Sequence, residues 1–293
     1  MRRVLVLAAA AALLAGGCSN PRSGSLGSAP TLAPSGQASG AASAPPVGVS
    51  AAPGSTTPAT GADPARPGTV TIQLWFARGG RLSPTRRTRP ATQATSRLAL
   101  TELTAGPSPD EDRAGLTTGL TPDAGFTIEG ISGGVETVRF GPAFYAGGSP
   151  AVRLRQAQVV YTLTQFPTVS RLRFAGDGQP AGTPVGRGQY ADLLPPIVVL
   201  DPVIGQRVTS PITVTGTANV FEATVNVRLL DATGGQIATA FTTASCGSGC
   251  RGDFRIRLPY RSGRGRAATV EVYWVSPKDG SSLDVVAVPV RLA

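Results

Sequence analysis

The sequence predicts an α+β fold followed by an all-β fold: an α+β domain over residues 69–180, a linker over 181–194 and a β-sandwich over 195–293. Two observations support this organisation. In the first stretch, segments with the helical spacing of apolar residues alternate with strand-like segments, which is typical of α+β domains. In the second stretch, short strand-like segments recur about every ten residues with turn residues between them, which is typical of a sandwich.

The N-terminus predicts export and a lipid anchor. A basic pair precedes an apolar run over residues 4–14, and small residues then lead to Cys18, which is the order of a secretory signal. The run is too short to span a bilayer, since a helix needs about 20 residues for that. The stretch resembles a bacterial lipobox, although Ala15 replaces the usual leucine. We therefore expect residues 1–18 to be a lipoprotein signal ending at Cys18, acylated with a palmitate-type lipid. The alternative is an ordinary signal peptide with an incidental cysteine.

The following segment, residues 19–68, is predicted to be a disordered tether. It is rich in Ser, Ala, Pro, Gly and Thr, with almost no charge and no aromatic residue. Such a composition cannot bury enough apolar area to offset the entropy of ordering. The segment would therefore hold the folded domains away from the membrane.

The α+β domain is expected to follow the order β-α-β-β-α-β. The apolar residues of Val70–Phe76 predict a strand, and Gly79-Gly80 predicts a turn. Pro90 fits the first turn of a helix that ends near Leu103, and an acidic loop follows at 109–112. Ser149-Pro150 is typical of a helix start. The remaining elements are two strands, a helix and a strand, at Phe126–Ile131, Val135–Phe140, Ala151–Gln165 and Val169–Phe174.

Seven short strands without a helical period predict a sandwich of immunoglobulin type from residue 195 onward. They are Ile197–Leu200, Ile212–Ala218, Thr224–Leu230, Gln236–Thr243, Asp253–Pro259, Ala268–Ser276 and Leu283–Leu292. Phe254 and Trp274 are expected in the core between the sheets. Cys246 and Cys250 fall between two of the strands.

The sequence contains no histidine, which removes the commonest general base and the usual zinc ligand. Cys246 and Cys250 make only half of a tetrahedral metal site. In an exported protein they are expected to form a disulfide that closes a small loop, and a redox pair is the alternative. We expect no catalytic residue, no metal and no cofactor.

The formal net charge is +10, yet no block of Lys or Arg is typical of nucleic-acid binding. The densest cluster consists of Arg78, Arg81, Arg86, Arg87 and Arg89. It could contact an anionic headgroup or a wall polymer, but we favour a solvated loop.

Other charged residues offer weaker candidates. Glu129 and Glu136 flank a predicted turn and could in principle form the carboxylate pair of a glycosidase, although surface positions explain them. The acidic run 109–112 lacks the alternating ligand spacing of a calcium site. Glu222 could bind a partner's cation, and we favour a hydrogen bond to backbone within the sandwich.

Two family resemblances cover most of the chain after residue 68. The first domain resembles the GerMN domain of sporulation and germination proteins, on the stretches Val70–Phe76, Ala99–Pro107, Ala157–Val169 and Arg173–Gly178. The second is similar to the immunoglobulin-like Gmad-type domain named for bacterial spore germination. The similarity is carried by Pro202–Gly205, Ser210–Ala218, Val220–Ala223, Gly252–Phe254 and Ser276–Ser281.

The resemblances imply non-catalytic modules that bind a ligand or partner in the cell envelope. With the lipobox, they predict a lipid-anchored binding or scaffolding protein on the extracytoplasmic side of the cell membrane. Its expected partner is an envelope protein or peptidoglycan, and nucleic acid is not expected. Two alternatives stay open: a sensor of a small molecule or wall fragment acting with a membrane partner, and a cell-wall hydrolase.

Overall fold

The computed structural model describes residues 68–177, 181–261 and 267–293. The expected lipidation site at Cys18, the signal that precedes it and residues 19–67 of the predicted tether lie outside the described residues.

The domain opens with a hairpin of two long strands, β1 (Thr69–Arg78) and β2 (Arg81–Pro90). Gly79 and Gly80 make the turn with φ of 57° and 75°, a conformation that glycine adopts without strain. The turn was predicted, but β2 was not. Its sequence is rich in Arg and Thr, and only Leu82 and Thr85 are fully buried, so it lacks the apolar alternation by which strands are recognised. The expected order β-α-β-β-α-β was therefore wrong at this point.

The helix expected from Pro90 begins later, as α1 (Thr95–Ala105). The acidic run expected to be a loop forms a short helix, α2 (Pro109–Arg113), which starts with a capping box between Ser108 and Glu111. Glu111 is 2% exposed, and both of its oxygens accept hydrogen bonds from the guanidinium of Arg87. Burial opposes its charged form. The bonds from Arg87, Thr85 and the Ser108 N–H outweigh that effect and hold the pKa of Glu111 below its usual value.

The second half of the domain is a three-stranded sheet covered by a long helix. Its elements are β3 (Phe126–Ser132), β4 (Val135–Phe140), α3 (Gly148–Leu163) and β5 (Arg171–Gly176). The order in the sheet is β3-β4-β5, with β3 antiparallel and β5 parallel to β4. The parallel pair is possible because α3 provides the crossover between its strands. The helix starts before the predicted Ser149-Pro150, and its N-cap residue is Gly147.

One apolar core joins the hairpin, the helices and the inner face of the sheet. Phe140 stacks on Phe144 at a ring distance of 4.0 Å, and Phe174 lies 5.7 Å from Phe144. On the other side of α3, Trp75 of β1 packs against Tyr161 at 4.9 Å. Rings at these separations add attraction beyond the burial of their area.

The sandwich contains the seven predicted strands and a two-residue eighth. Its strands are β6 (Ile197–Asp201), β7 (Arg207–Val208), β8 (Ile212–Ala218), β9 (Thr224–Asp231), β10 (Gln236–Thr243), β11 (Gly252–Leu258), β12 (Ala267–Val275) and β13 (Ser282–Leu292). They form a five-stranded sheet, β10-β9-β12-β13-β7, and a three-stranded sheet, β11-β8-β6. Phe254 lies in the core as expected, whereas Trp274 is only partly buried.

Glu136 is one of the few polar residues buried in the described part of the α+β domain, together with Thr85, Glu111, Gln158 and Thr162. It was expected at the surface, but it is 0% exposed on the inner face of β4. Ser96 of α1 donates a hydrogen bond to its Oε2 at 3.2 Å, and Oε1 has no partner among the described residues. Burial raises the pKa of the Glu136 carboxyl, and the bond from Ser96 opposes that only in part.

The buried carboxyl predicts a pH dependence of stability. An acidic group whose pKa is higher in the folded than in the unfolded protein contributes stability at low pH, where both forms of the protein carry it protonated. This contribution is lost as the pH rises through the pKa of the folded state. Glu136→Gln removes the charge, so it should raise the free energy of unfolding by about 1 kcal/mol at neutral pH and less in acid. Urea unfolding between pH values of about 4 and 8 measures the difference in the free energy of unfolding between the variant and the parent protein.

The control is Glu129→Gln, an exposed position, which should show no such rise. A difference for Glu136→Gln that stays constant with pH would contradict the prediction.

Candidate functional site

The segment predicted as a linker, residues 181–194, packs against the α+β domain along much of its length. Val185 and Leu172 exchange two backbone hydrogen bonds of 2.8 Å, which places the segment beside the edge strand β5. Tyr190 is 4% exposed, and its hydroxyl lies 3.1 Å from Oε1 of Gln156 on α3. The guanidinium of Arg153 lies 5.5 Å from the centre of the Tyr190 ring. We call residues 181–194 the strap.

Two arginines tie the strap to its surroundings. Arg187 lies over the Tyr161 ring at 5.1 Å and donates to the Tyr161 carbonyl at 3.0 Å. Where the strap leads into the sandwich, Arg251 donates to the Pro195 carbonyl at 2.6 Å and to Oγ1 of Thr217 at 3.2 Å. The strap therefore fixes the direction in which the chain enters the sandwich.

The arginine cluster of the hairpin makes contacts within the protein, so the prediction of a solvated loop was wrong. Arg86 forms an ion pair with Asp201 of the sandwich. Arg87 and Arg89 bind Glu111 and Glu102 of the α+β domain. These residues lie on β2, where the hairpin meets both the helices and the sandwich. The carboxylates that pair with the cluster come from other parts of the sequence, which is why local charge counting could not reveal them.

A cavity of about 250 Å³ lies where the tip of the hairpin meets the sandwich. Its walls come mainly from apolar residues of β2, β6 and β13, among them Leu82, Pro84, Ile197, Val199, Val286 and Val288. Among the described residues that line it, only Arg78 and Arg81 are charged. A concave, mostly apolar surface with a few polar groups is the usual form of a ligand site. No sequence motif pointed to it.

Arg78 and Arg81 lie at this cavity, and only some of their N–H groups donate hydrogen bonds within the protein. Nη1 of Arg78 donates to the Ala287 carbonyl of β13 at 3.1 Å. Nη1 of Arg81 donates to the carbonyls of Asp192 and Leu194, at 3.0 and 3.2 Å. Their Nε and Nη2 atoms have no hydrogen-bond partner among the described residues. The two side chains thus close the junction and still present N–H groups.

Cys246 and Cys250 lie in the connection from β10 to β11, which passes from one sheet to the other. Their Cα atoms are 5.8 Å apart, and the sulfur atoms lie within bonding distance. This geometry fits the predicted disulfide. Closing so short a loop would contribute about 2 kcal/mol in the chain-entropy model. The oxidised state in the exported protein stays a prediction.

The structure does not bring the candidate carboxylates together. Glu129 pairs with Arg139 at 2.6 Å in a partly exposed position, whereas Glu136 is fully buried beneath α1. Glu222 is exposed with a φ of 53°, and its side chain makes no hydrogen bond within the described part of the chain. The expected bond from Glu222 to backbone is therefore not present.

Within residues 68–177, 181–261 and 267–293, no group of three or more acidic, cysteine or histidine side chains could hold a metal ion. No helix in these ranges combines the length and the apolar character that a membrane span requires.

Fold and junction together define a two-domain protein in which an α+β domain is joined closely to an immunoglobulin-like sandwich. Residues 73–182 match the family model Germane, described as "Sporulation and spore germination". Residues 196–281 match Gmad2, described as "Immunoglobulin-like domain of bacterial spore germination". The two stretches are therefore similar to a GerMN domain and to a Gmad-type domain, in that order, and the predicted resemblances and fold class are confirmed.

Solved structures match the chain at low identity. The first GerMN domain of the sporulation protein GerM from Bacillus subtilis is 20% identical, and the match covers 40% of this chain and 95% of that one with a TM-score of 0.34. The tandem GerMN domains of the same protein are 16% identical, with 76% and 61% of the two chains covered and a TM-score of 0.35. We draw no functional conclusion from scores this low. Among curated proteins, none matches the chain.

The junction depends on Tyr190, which gives a stability prediction. Tyr190→Ala should lower the free energy of unfolding by about 3 kcal/mol, because it leaves a cavity between the strap and α3. It should also speed proteolytic cleavage within the strap. Urea unfolding and limited proteolysis measure the two effects. Phe241→Ala is the control, because Phe241 is 72% exposed and its loss should cost less than about 0.5 kcal/mol. Equal losses for the two variants would contradict this role of the strap.

Proposed function

We propose that the protein is a lipid-anchored binding or scaffolding protein on the extracytoplasmic side of the bacterial cell membrane. The observation that carries the proposal is the match of two successive stretches to families of sporulation and spore germination. The predicted lipoprotein signal ending at Cys18 adds support from the sequence. The junction supports a binding role, because it holds the two domains around an apolar cavity. The separate positions of Glu129 and Glu136 give no support to the hydrolase alternative.

The proposed anchor has a physical consequence for binding. As a flexible coil, the tether of residues 19–68 would span about 40 Å, which keeps the domains within a thin layer above the membrane. A partner held in the same layer would meet them at a raised effective concentration. Even a weak site on the domains would then be occupied.

The anchor is tested by Cys18→Ala. We expect the variant to leave the membrane fraction and to lose incorporation of labelled palmitate, because the acylated thiol is absent. Cell fractionation and metabolic labelling measure both effects. Cys246→Ala is the matched control and should stay in the membrane fraction with its label. If Cys18→Ala stays membrane-bound and labelled, the anchor is not at this residue.

The binding role is tested by chemical crosslinking in intact envelopes. The full-length chain should capture an envelope protein or peptidoglycan in excess over a control truncated after residue 68, because the folded domains provide the contact. Mass spectrometry and muropeptide analysis identify what is captured. Equal recovery with the full chain and the truncated control would show that the folded domains bind neither.

The cavity also gives some support to a second function, a sensor of a small molecule. A ligand that fits the cavity would stabilise the folded state, by about 3 kcal/mol at a hundredfold excess over its dissociation constant. Thermal unfolding of the chain with wall-derived fragments separates this function from pure scaffolding, since a scaffold would show no shift.

A further inference from the structure

The edge of strand β13 is only partly covered. Its neighbour on the outer side, β7, pairs with it only at Arg291 and Leu292. Beyond that point, the N–H of Gly205 donates to the Pro289 carbonyl at 2.8 Å, and Arg78 donates to the Ala287 carbonyl. Among the described residues, no strand pairs with the section from Val285 to Ala287 on the side away from β12, and this section lines the cavity at the junction.

The direction of the backbone groups on this edge follows from the ladder. The carbonyls of Ala287 and Pro289 both point away from β12, since Arg78 and Gly205 reach them from the outer side. In an antiparallel strand, the N–H and C=O of one residue point to the same side, and the direction alternates along the strand. The N–H of Ala287 therefore points toward the cavity. No partner for it exists among the described residues. An unpaired strand edge accepts an extended peptide by adding one strand to the sheet.

The walls define which peptide would fit. Valines of β13 and β6 and the residues Leu82 and Pro84 of the hairpin favour apolar side chains. The volume of about 250 Å³ accommodates a few small side chains and not a large domain. Val285 is 43% exposed at the cavity, which gives an incoming chain an apolar surface at the entrance.

The two arginines at the cavity favour a peptide end that carries a negative charge. No acidic residue is among the described residues that line the cavity, and the Nε and Nη2 atoms of Arg78 and Arg81 have no hydrogen-bond partner in the described part of the chain. Asp192, which pairs with Arg153, is near enough to Arg81 for the two charges to attract each other. A carboxylate accepts two hydrogen bonds from one guanidinium in a planar arrangement. A peptide with a free C-terminus combines this group with an extended backbone and apolar side chains.

We propose that the cavity between the hairpin and the edge of β13 binds the free carboxyl terminus of an extended, apolar peptide segment. The backbone of the peptide pairs with Val285 and Ala287, and its side chains contact the apolar walls. The carboxylate of the peptide binds Arg78 and Arg81. The inference deepens the proposed function and rests on it, because it names the chemical class of partner that the binding protein holds.

The test uses the full-length chain and a fluorescein-labelled peptide of sequence Gly-Ser-Gly-Val-Ala-Val with a free carboxyl group. Fluorescence anisotropy should show saturable binding, and amidation of the C-terminus should weaken it at least tenfold, about 1.4 kcal/mol. Equal affinity for the acid and the amide, or no binding of either at about 1 mM, would overturn the proposal. Neither result affects the outcome of the fractionation and crosslinking experiments, so those experiments test the proposed function independently.

Variants locate the site. Arg81→Gln should abolish the preference for the acid, whereas Arg97→Gln, an exposed arginine on α1, should leave it unchanged. Ala287→Pro should block pairing at the edge by removing the free N–H, a change that the neighbouring Pro289 shows this strand can accept. If Arg81→Gln does not fold, a comparison of Val285→Glu with Val285→Gln tests the site. The new glutamate repels the peptide carboxylate, so Val285→Glu should bind the free-acid peptide at least tenfold more weakly than Val285→Gln does. Equal binding by these two variants would overturn the proposal.

Discussion

The packing of the strap against helix α3 determines how the whole structure is arranged. Tyr190 is buried beside Gln156, and Arg187 lies over Tyr161, so the chain leaves the α+β domain in one fixed direction. Arg251 then holds the Pro195 carbonyl at the entrance to β6. Because β6 is fixed there, Val198 packs in the core of the α+β domain, whereas Ile197 and Val199 pack in the core of the sandwich. The strand thus joins the two cores. A flexible linker at 181–194 would have left the two domains without a common surface.

Charge at the junction follows from this packing. Two arginines of the hairpin find partners in the sandwich, since Arg86 pairs with Asp201 and Arg78 donates to the Ala287 carbonyl. The other three bind elsewhere: Arg87 and Arg89 pair with carboxylates of the α+β domain, and Arg81 donates to carbonyls of the strap. Pairs that are partly buried are screened less by salt than pairs at the surface. Arg78 and Arg81 donate hydrogen bonds only to carbonyl oxygens, which carry no formal charge. Asp192 attracts Arg81 but already forms an ion pair with Arg153, so positive charge remains at the cavity.

The sandwich was predictable because several of its strands alternate between buried and more exposed positions, as Ile212–Ala218 and Gly252–Leu258 do. Strand β2 could not be predicted, because its side chains form ion pairs and hydrogen bonds to carbonyl groups and do not form an apolar face. Glu136 was assigned to the surface by its residue type, and only the position of α1 above β4 buries it. The cavity could not be predicted, because its walls come from segments about a hundred residues apart in sequence that meet only in the folded chain. Single-sequence patterns describe neighbours along the chain, and sites of this kind are made by distant ones.

An open strand edge is normally a liability, since it can pair with another chain and start aggregation. At the edge of β13, Arg78 donates to the Ala287 carbonyl, and Leu82 and Pro84 of the hairpin line the cavity beside this section of the strand. The unpaired section therefore lies in a recess between the hairpin and the sandwich. The proposed occupant, a single extended peptide, is narrow enough for such a recess, and the two arginines favour a peptide that ends in a carboxylate.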